Sequence, residues 1–200
     1  MPQSIHPTKS RLIETTAELL ETQFPGDIQV DEILEKSGIS KGSLYHHFED
    51  LGELLEAAQV SRYAAWVDRS ISLIVPVLSS AKTRDDIVEG LKVLTTYTQS
   101  PEYKSTRFTR ARALANSESS PRFQRALGLE QERLNIALQD LVEEAKNKGL
   151  FKPTLDSHVV AIFIQSYTLG KIVDDIVPTP MGQENWDKFI LEMLIATMVS

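Results

Sequence analysis

The sequence predicts an all-α fold, and three observations predict it. Apolar residues recur at helical spacing from residue 9 to the end. No segment keeps an apolar–polar alternation between hairpin turns. Helix-stopping residues, among them Pro25-Gly26, Gly38, Pro76, Pro101, Pro121, Asn147-Lys148-Gly149 and Pro178, cut the chain into nine helical pieces.

The first helix is expected over about 9–23, capped by Thr8, with Leu12, Ile13, Ala17, Leu19 and Leu20 on its apolar side. A short helix over about 30–37 ends at Gly38. Ser40 caps a third over about 41–48. A long fourth runs from about 50 to 75 and stops at Pro76. Thr83 caps a fifth to about 98, Pro101 opens a sixth to about 116, and Ser120-Pro121 opens a long seventh. Asp156 sits near the start of an eighth that runs to before Pro178, and the ninth occupies about 183–199. The natural boundary lies at the fourth helix, giving domains of 1–52 and 53–200.

Composition narrows the function. There are no cysteines, which excludes disulfides, thiolate metal sites and thiol nucleophiles. No run of about 18 apolar residues is present, and the start, MPQSIHPTKSR, lacks the apolar run of a secretory signal. A cytoplasmic protein without membrane contact is expected. The net charge of -7 counts mildly against nucleic acid, because neutralising phosphates takes Lys and Arg. Residues 1–50 sharpen the point, with four cations against nine acids, a balance of -5. A DNA reader built from them must gather its cations on one face and turn its acids away.

The informative stretch is QVDEILEKSGISKGSLYHHFEDLGELL, residues 29–55. Two short helices flank Gly38-Ile39-Ser40, and so tight a turn needs a residue at positive φ, which glycine adopts without a Cβ penalty. Ile33, Ile39, Leu44 and Phe48 can fix the interhelix angle as a small core. Ser40 caps the second helix, whose N-terminus then faces anions with free N–H groups and a favourable dipole. Its outward face carries Lys41, Ser43, Tyr45, His46 and His47, a mixture of cation, hydroxyl and aromatic donors suited to a major groove, and Gly42 permits close approach.

This stretch, VDEILEKSGISKGSLYHHFED, preceded by KSRLIETTAELLETQFPG and followed by ELLEAA, resembles the TetR family of bacterial regulators. The resemblance implies that the third helix reads the major groove, that Tyr45 contacts phosphate, and that Lys41, Gly42, Ser43 and His47 lie at the DNA. With Arg11, Val30, Ser40 and His46 these make the expected DNA-binding set. Three departures stand out. Glu49, Asp50, Leu51 and Gly52 follow the recognition helix where a Lys is usual, Leu34 and Ser37 replace small Ala residues, and the segment is acidic.

The resemblance also implies a ligand pocket between the later helices. The expected lining is Tyr63, Trp66, Leu94, Tyr97, Phe108, Arg110, Leu114 and Leu138, although residues at such spacing mostly fill cores. Arg107, Arg110 and Arg112 do not share one helix face. A solvated position is the expectation for them; an inward-pointing one needs an anionic partner and points to an acidic ligand.

The eighth helix, HVVAIFIQSYTLGKIVDDIV, is apolar nearly all round, as expected of a helix buried on more than one side. Ser166 and Gly170 permit close helix approach. With the ninth helix it forms the expected four-helix homodimer interface, through Ile162, Ser166, Leu169, Gly170, Val173, Phe189 and Met193. A dimer can set two recognition helices about 34–36 Å apart, one turn of DNA, which suits a pseudo-palindromic double-stranded operator.

The expected function is therefore that of a repressor released from its operator by a small-molecule inducer. The alternative is an interaction protein that uses the same fold without sequence-specific DNA binding. An enzyme is disfavoured: His46 and His47 diverge by about 100° on a helix, and no metal motif, phosphate loop or nucleophile elbow occurs. Asp174-Asp175 is expected to be a solvated pair. No catalytic residue, metal ligand or cofactor is expected.

Overall fold

The computed structural model describes residues 6–200. Its helices are α1 (Pro7–Leu19), α2 (Val30–Ser37), α3 (Lys41–His47), α4 (Leu51–Ser79), α5 (Arg84–Gln99), α6 (Lys104–Ser117), α7 (Pro121–Asn147), α8 (Ser157–Gly170), α9 (Ile172–Asp175) and α10 (Gln183–Met198). A 3-10 turn, Pro101–Tyr103, leads into α6. Apart from the four-residue α9, nine helices are described, and extended pairing among the described residues is limited to one bridge between Phe151 and Val199.

Local chemistry sets most boundaries. Ser40, Asp50, Thr83, Ser120 and Asp156 each accept a hydrogen bond from a first-turn N–H of the helix they precede. At α5 the cap is reciprocal, because Asp86 accepts in turn from the Thr83 N–H. Gly38 closes α2 at φ 71°, in the left-handed region.

Three boundaries differ from expectation. The first helix begins two residues earlier, with Pro7 at its first position and His6, rather than Thr8, as its cap, and it ends at Leu19. The chain then turns over 20–27, where Arg62 of α4 donates to the Leu20 carbonyl at 2.5 Å. Pro76 does not stop α4, which continues to Ser79. Proline removes one N–H donor; the added turn seats Val77 and Leu78 against Gly90 of α5, where a Cβ would stand 3.1 Å from Leu78. The expected eighth helix breaks after Gly170, and α9 follows as a separate turn. There Lys171 is buried and paired with Asp174, while Asp175 turns inward.

Three cores result. Leu12, Leu19, Ile28, Ile33, Leu44 and Phe48 are buried between α1, α2 and α3, and Leu54 and Ala58 of α4 complete that core. Tyr63, Val67, Phe123, Leu127, Leu134 and Ala161 join α4 to α6, α7 and α8. Ile87, Leu91, Val142, Phe151, Ile190 and Leu194 join α5, α7 and α10. A straight α4 of 29 residues is about 44 Å long, so one rigid element belongs to the first core at its start and to the second along its middle.

Candidate functional site

The helix-turn-helix expected from residues 29–55 is present. Ile33, Leu44 and Phe48 are buried, with Ile39 half-buried between them. That packing turns the other side of α3 outward. Lys41, Gly42, Tyr45 and His46 are exposed, Ser43 and His47 are half-exposed, and nothing stands within 4 Å of a Cβ placed on Gly42. Ser40 spans 3.2 Å to the Ser43 N–H.

Beside this face lies the start of α1. The His6 and His47 rings are 4.9 Å apart, His46 and His47 are 5.1 Å apart, and Lys9 sits 5.0 Å above the Phe48 ring. The imidazole of His47 is held below its ordinary pKa by partial desolvation first, then by His6, His46 and Lys9. Arg11 is exposed and Val30 is half-buried at the first position of α2.

Several acids in and just after this segment have structural partners. Glu18 pairs with Lys36 at 3.3 Å, and Glu32 accepts from Gln23 at 2.7 Å. Asp50 caps α4, and Glu53 reaches back to accept from the Glu49 N–H at 2.6 Å. Arg122 at the start of α7 bonds Glu56 at 2.7 Å and approaches Glu49 at 3.9 Å. Of the residues that stand where a Lys is usual, Asp50 caps α4, and Glu56 further along the same helix ties it to α7.

A second candidate site lies between the longer helices. A cavity of about 70 Å³ is bounded by α4, α5, α6, α7, α8 and α10, with Trp66, Leu94, Arg110 and Leu138 in its wall. Trp66 and Arg110 also face a wider cleft of about 480 Å³ between α1, α4 and α6, where Tyr63 joins them. The structure thus brings together five of the eight expected ligand residues. Tyr97 is 52% exposed and packs edge-on against Tyr103, 5.4 Å away, outside both cavities. Phe108 and Leu114 line neither.

Sequence reasoning left out the polar members of this site. Thr95, Thr98, Gln165 and Thr168 line the small cavity. Gln165 belongs to a network in which Tyr63 donates to Gln131 at 2.5 Å and Gln131 donates to Asn135 and Gln165 at 2.9 and 2.5 Å. A search for polar residues at helical spacing within apolar stripes would have found Gln131 and Gln165.

The arginines of α6 overturn the solvated expectation in two cases of three. Arg107 is 0% exposed and bonds both carboxylate oxygens of Asp175, at 2.5 and 2.8 Å, plus the carbonyls of Thr98 and Ser100. Asp175 is consequently buried rather than solvated. Arg110 is 4% exposed and stacks on Trp66 with its guanidinium carbon 3.8 Å from the ring centroid. Only Arg112 is exposed, over the ring of Phe24 at 4.7 Å.

The α8–α10 face is open in the single chain. Val159, Ile162, Phe163, Val173, Ile176 and Phe189 are each 38–70% exposed. Ser166 and Gly170 lie exposed on α8, with open space around a Cβ at Gly170, while Leu169 and Met193 are half-buried. So α8 is not a helix buried all round within one chain. Val160, Ala161 and Thr168 bury one side only.

Comparison with known proteins bears on both sites. Residues 12–58 match the family model described as bacterial regulatory proteins, tetR family. Over 55 residues the chain is 34% identical to two proteins of Pseudomonas putida, the HTH-type transcriptional regulator SrpR and the uncharacterized HTH-type transcriptional regulator TtgW. That segment is 28% of this chain, and spans 26% of SrpR and 41% of TtgW. Solved structures extend the likeness in fold to the whole chain. A protein of Mesorhizobium loti assigned to the same family superposes with a TM-score of 0.72 at 18% identity, covering 96% of this chain and 97% of its own. Reduced NemR of E. coli superposes at 0.65 with 18% identity, covering 97% and 98%. Residues 12–58 are thus similar in sequence to the N-terminal motif of the tetR family of bacterial regulatory proteins, and the whole chain shares the helical fold of these solved structures.

Proposed function

We propose that this chain is a DNA-binding transcriptional regulator that acts as a homodimer, and that a small molecule held between α4, α6 and α7 releases it from its operator. The single observation that carries DNA binding is the exposed face of α3, where Lys41, Gly42, Ser43, Tyr45, His46 and His47 follow a capped N-terminus beside Lys9. Lys41 and Tyr45 suit phosphate and base edges, and the N–H groups after Ser40 suit a phosphate. Because Leu54 and Ala58 complete the first core, we place the division between reading head and sensor after Ala58, rather than at 52. The rigid α4 supplies the coupling. A ligand that favours one tilt of α4 shifts the equilibrium between DNA-competent and DNA-incompetent spacings, and it does so only by its differential affinity for the two.

The test is binding to the promoter beside the protein's own gene, measured across a salt titration. Affinity is expected to fall steeply with salt. Lys41→Ala or Tyr45→Ala is expected to lower it about 30-fold or more, since roughly 1–3 kcal/mol is lost at each of two half-sites. Equal, weak binding to every duplex, unchanged by either substitution, would reject the reading.

His47 adds a pH dependence. With His47 held below its ordinary pKa in the free protein, the neutral ring dominates at pH 7 and above. A neighbouring phosphate favours the charged ring, so DNA binding takes up protons and affinity rises as pH falls. The window lies around and below the ordinary imidazole value of about 6.5. Affinity at pH 6 is expected to exceed that at pH 8 at constant ionic strength, and His47→Gln is expected to reduce the difference. Affinity that weakens on acidification would contradict this account.

A further inference from the structure

Arg107 and Arg110 stand one turn apart on α6, and both are buried. Arg107 is fully partnered. Arg110 forms no ion pair with any described residue, and its Nε has neither solvent nor a hydrogen-bond acceptor. A buried cation costs several kcal/mol unless an anion meets it. Trp66 covers one face of the guanidinium, and the nearby Tyr63 and Tyr103 carry phenol groups rather than carboxylates. Desolvation pulls the Arg110 pKa below its ordinary value, but arginine does not shed its proton in proteins. The chain thus holds a permanent, planar cation in the wall shared by its apolar cavity and its wider cleft.

Beyond Arg110 the small cavity is walled by Ile74, Leu78, Leu91, Leu94, Leu138 and Leu194. Its volume of about 70 Å³ corresponds to roughly five water-sized positions. We propose that Arg110 is the anchor for a small monocarboxylate whose short apolar body, of about five carbons, enters this cavity. This rests on the reading that the chain binds a small molecule there. Charge decides the head group, because one buried guanidinium balances one carboxylate and would leave the second charge of a phosphate monoester unmatched. Geometry agrees, since a guanidinium edge meets a carboxylate through paired hydrogen bonds. Size sets the tail.

The test uses full-length protein without DNA. Calorimetry is run with linear saturated carboxylates from acetate to dodecanoate, with hexanol and hexylamine as uncharged and cationic controls, and with hexyl phosphate. A carboxylate near six carbons is expected to bind best, at least tenfold tighter than hexanol, hexylamine or hexyl phosphate. Arg110→Gln is expected to remove at least tenfold of that affinity, and Arg110→Lys to keep part of it. Both variants must retain the wild-type operator affinity, which shows that they fold. Equal binding of hexanol and hexanoate, or equal affinity in Arg110→Gln, overturns the anchor while leaving a ligand cavity in place. Tightest binding of hexyl phosphate overturns the monocarboxylate assignment. No binding by any member of the series, with operator binding intact, overturns the proposal. Hexanoate binding that leaves operator affinity unchanged sustains the anchor and rejects the ligand-controlled release described above.

Discussion

Arg107→Ala is expected to destabilise the fold by about 3–5 kcal/mol, the cost of leaving a buried carboxylate without its counter-charge. At this chain length that lowers Tm by roughly 6–20 °C, measured by calorimetry at fixed protein concentration. The loss is large because one side chain closes three segments. Its guanidinium takes the carbonyls of Thr98 and Ser100 at the end of α5 and both oxygens of Asp175 on α9. Lys104 adds a bond to the Asp175 carbonyl at 2.6 Å, so the same knot ends α9. Asp175→Asn, which keeps shape but removes charge, is expected to cost less than Arg107→Ala. The double replacement Arg107→Met with Asp175→Leu tests the cause. If the cost is an uncompensated charge, the apolar pair restores most of the lost stability. If the double variant is as unstable as Arg107→Ala, the hydrogen bonds to the α5 carbonyls carry the effect instead.

Phe189→Asp is expected to convert the proposed dimer into monomers. Phe189 is 61% exposed in the single chain, so the substitution leaves the protomer's core intact. In a two-fold interface the new carboxylate is buried twice. At about 3 kcal/mol for each unpaired charge, the dimer dissociation constant rises by roughly four decades. Sedimentation at micromolar concentration reads this directly. Operator affinity is expected to collapse with it, because one recognition helix then meets one half-site alone. A protein that stays dimeric with Phe189→Asp, and also with Val173→Asp, would place the dimer contact on another face.

Much of the helix-turn-helix was legible in the sequence because its determinants are local. Ser40 caps a helix whose first turn it adjoins, Gly38 takes the positive φ that the turn demands, and Leu44 and Phe48, four apart, necessarily share one side of α3. Lys41 and Tyr45, likewise four apart, lie outside with Gly42. The cap at Thr83 was equally plain, because a side chain that bonds its own helix needs no distant partner.

The later helices were less legible, for a physical reason that recurs in each discrepancy. Periodicity tells which residues share a face but not what stands across from it. Arg107 and Arg110 are one turn apart in the same helix, yet the first meets Asp175, 68 residues away, and the second forms no ion pair with any described residue. Tyr97 and Leu94 belong to one helix, but only Leu94 faces the cavity. Pro76 carries an ordinary stop signal, overridden because Val77 and Leu78 find Gly90.

By itself, then, the sequence determined the all-α class, the caps at Ser40 and Thr83, the helix-turn-helix and the outward set on α3, since each follows from bonds and spacings within a few residues. Tertiary structure alone decided which arginine is paired, which aromatic residues reach a cavity, where α4 and α8 end, and that the apolar face of α8 is left open. Those outcomes depend on charge and shape brought together from distant parts of the chain, where desolvation and packing outweigh local preference.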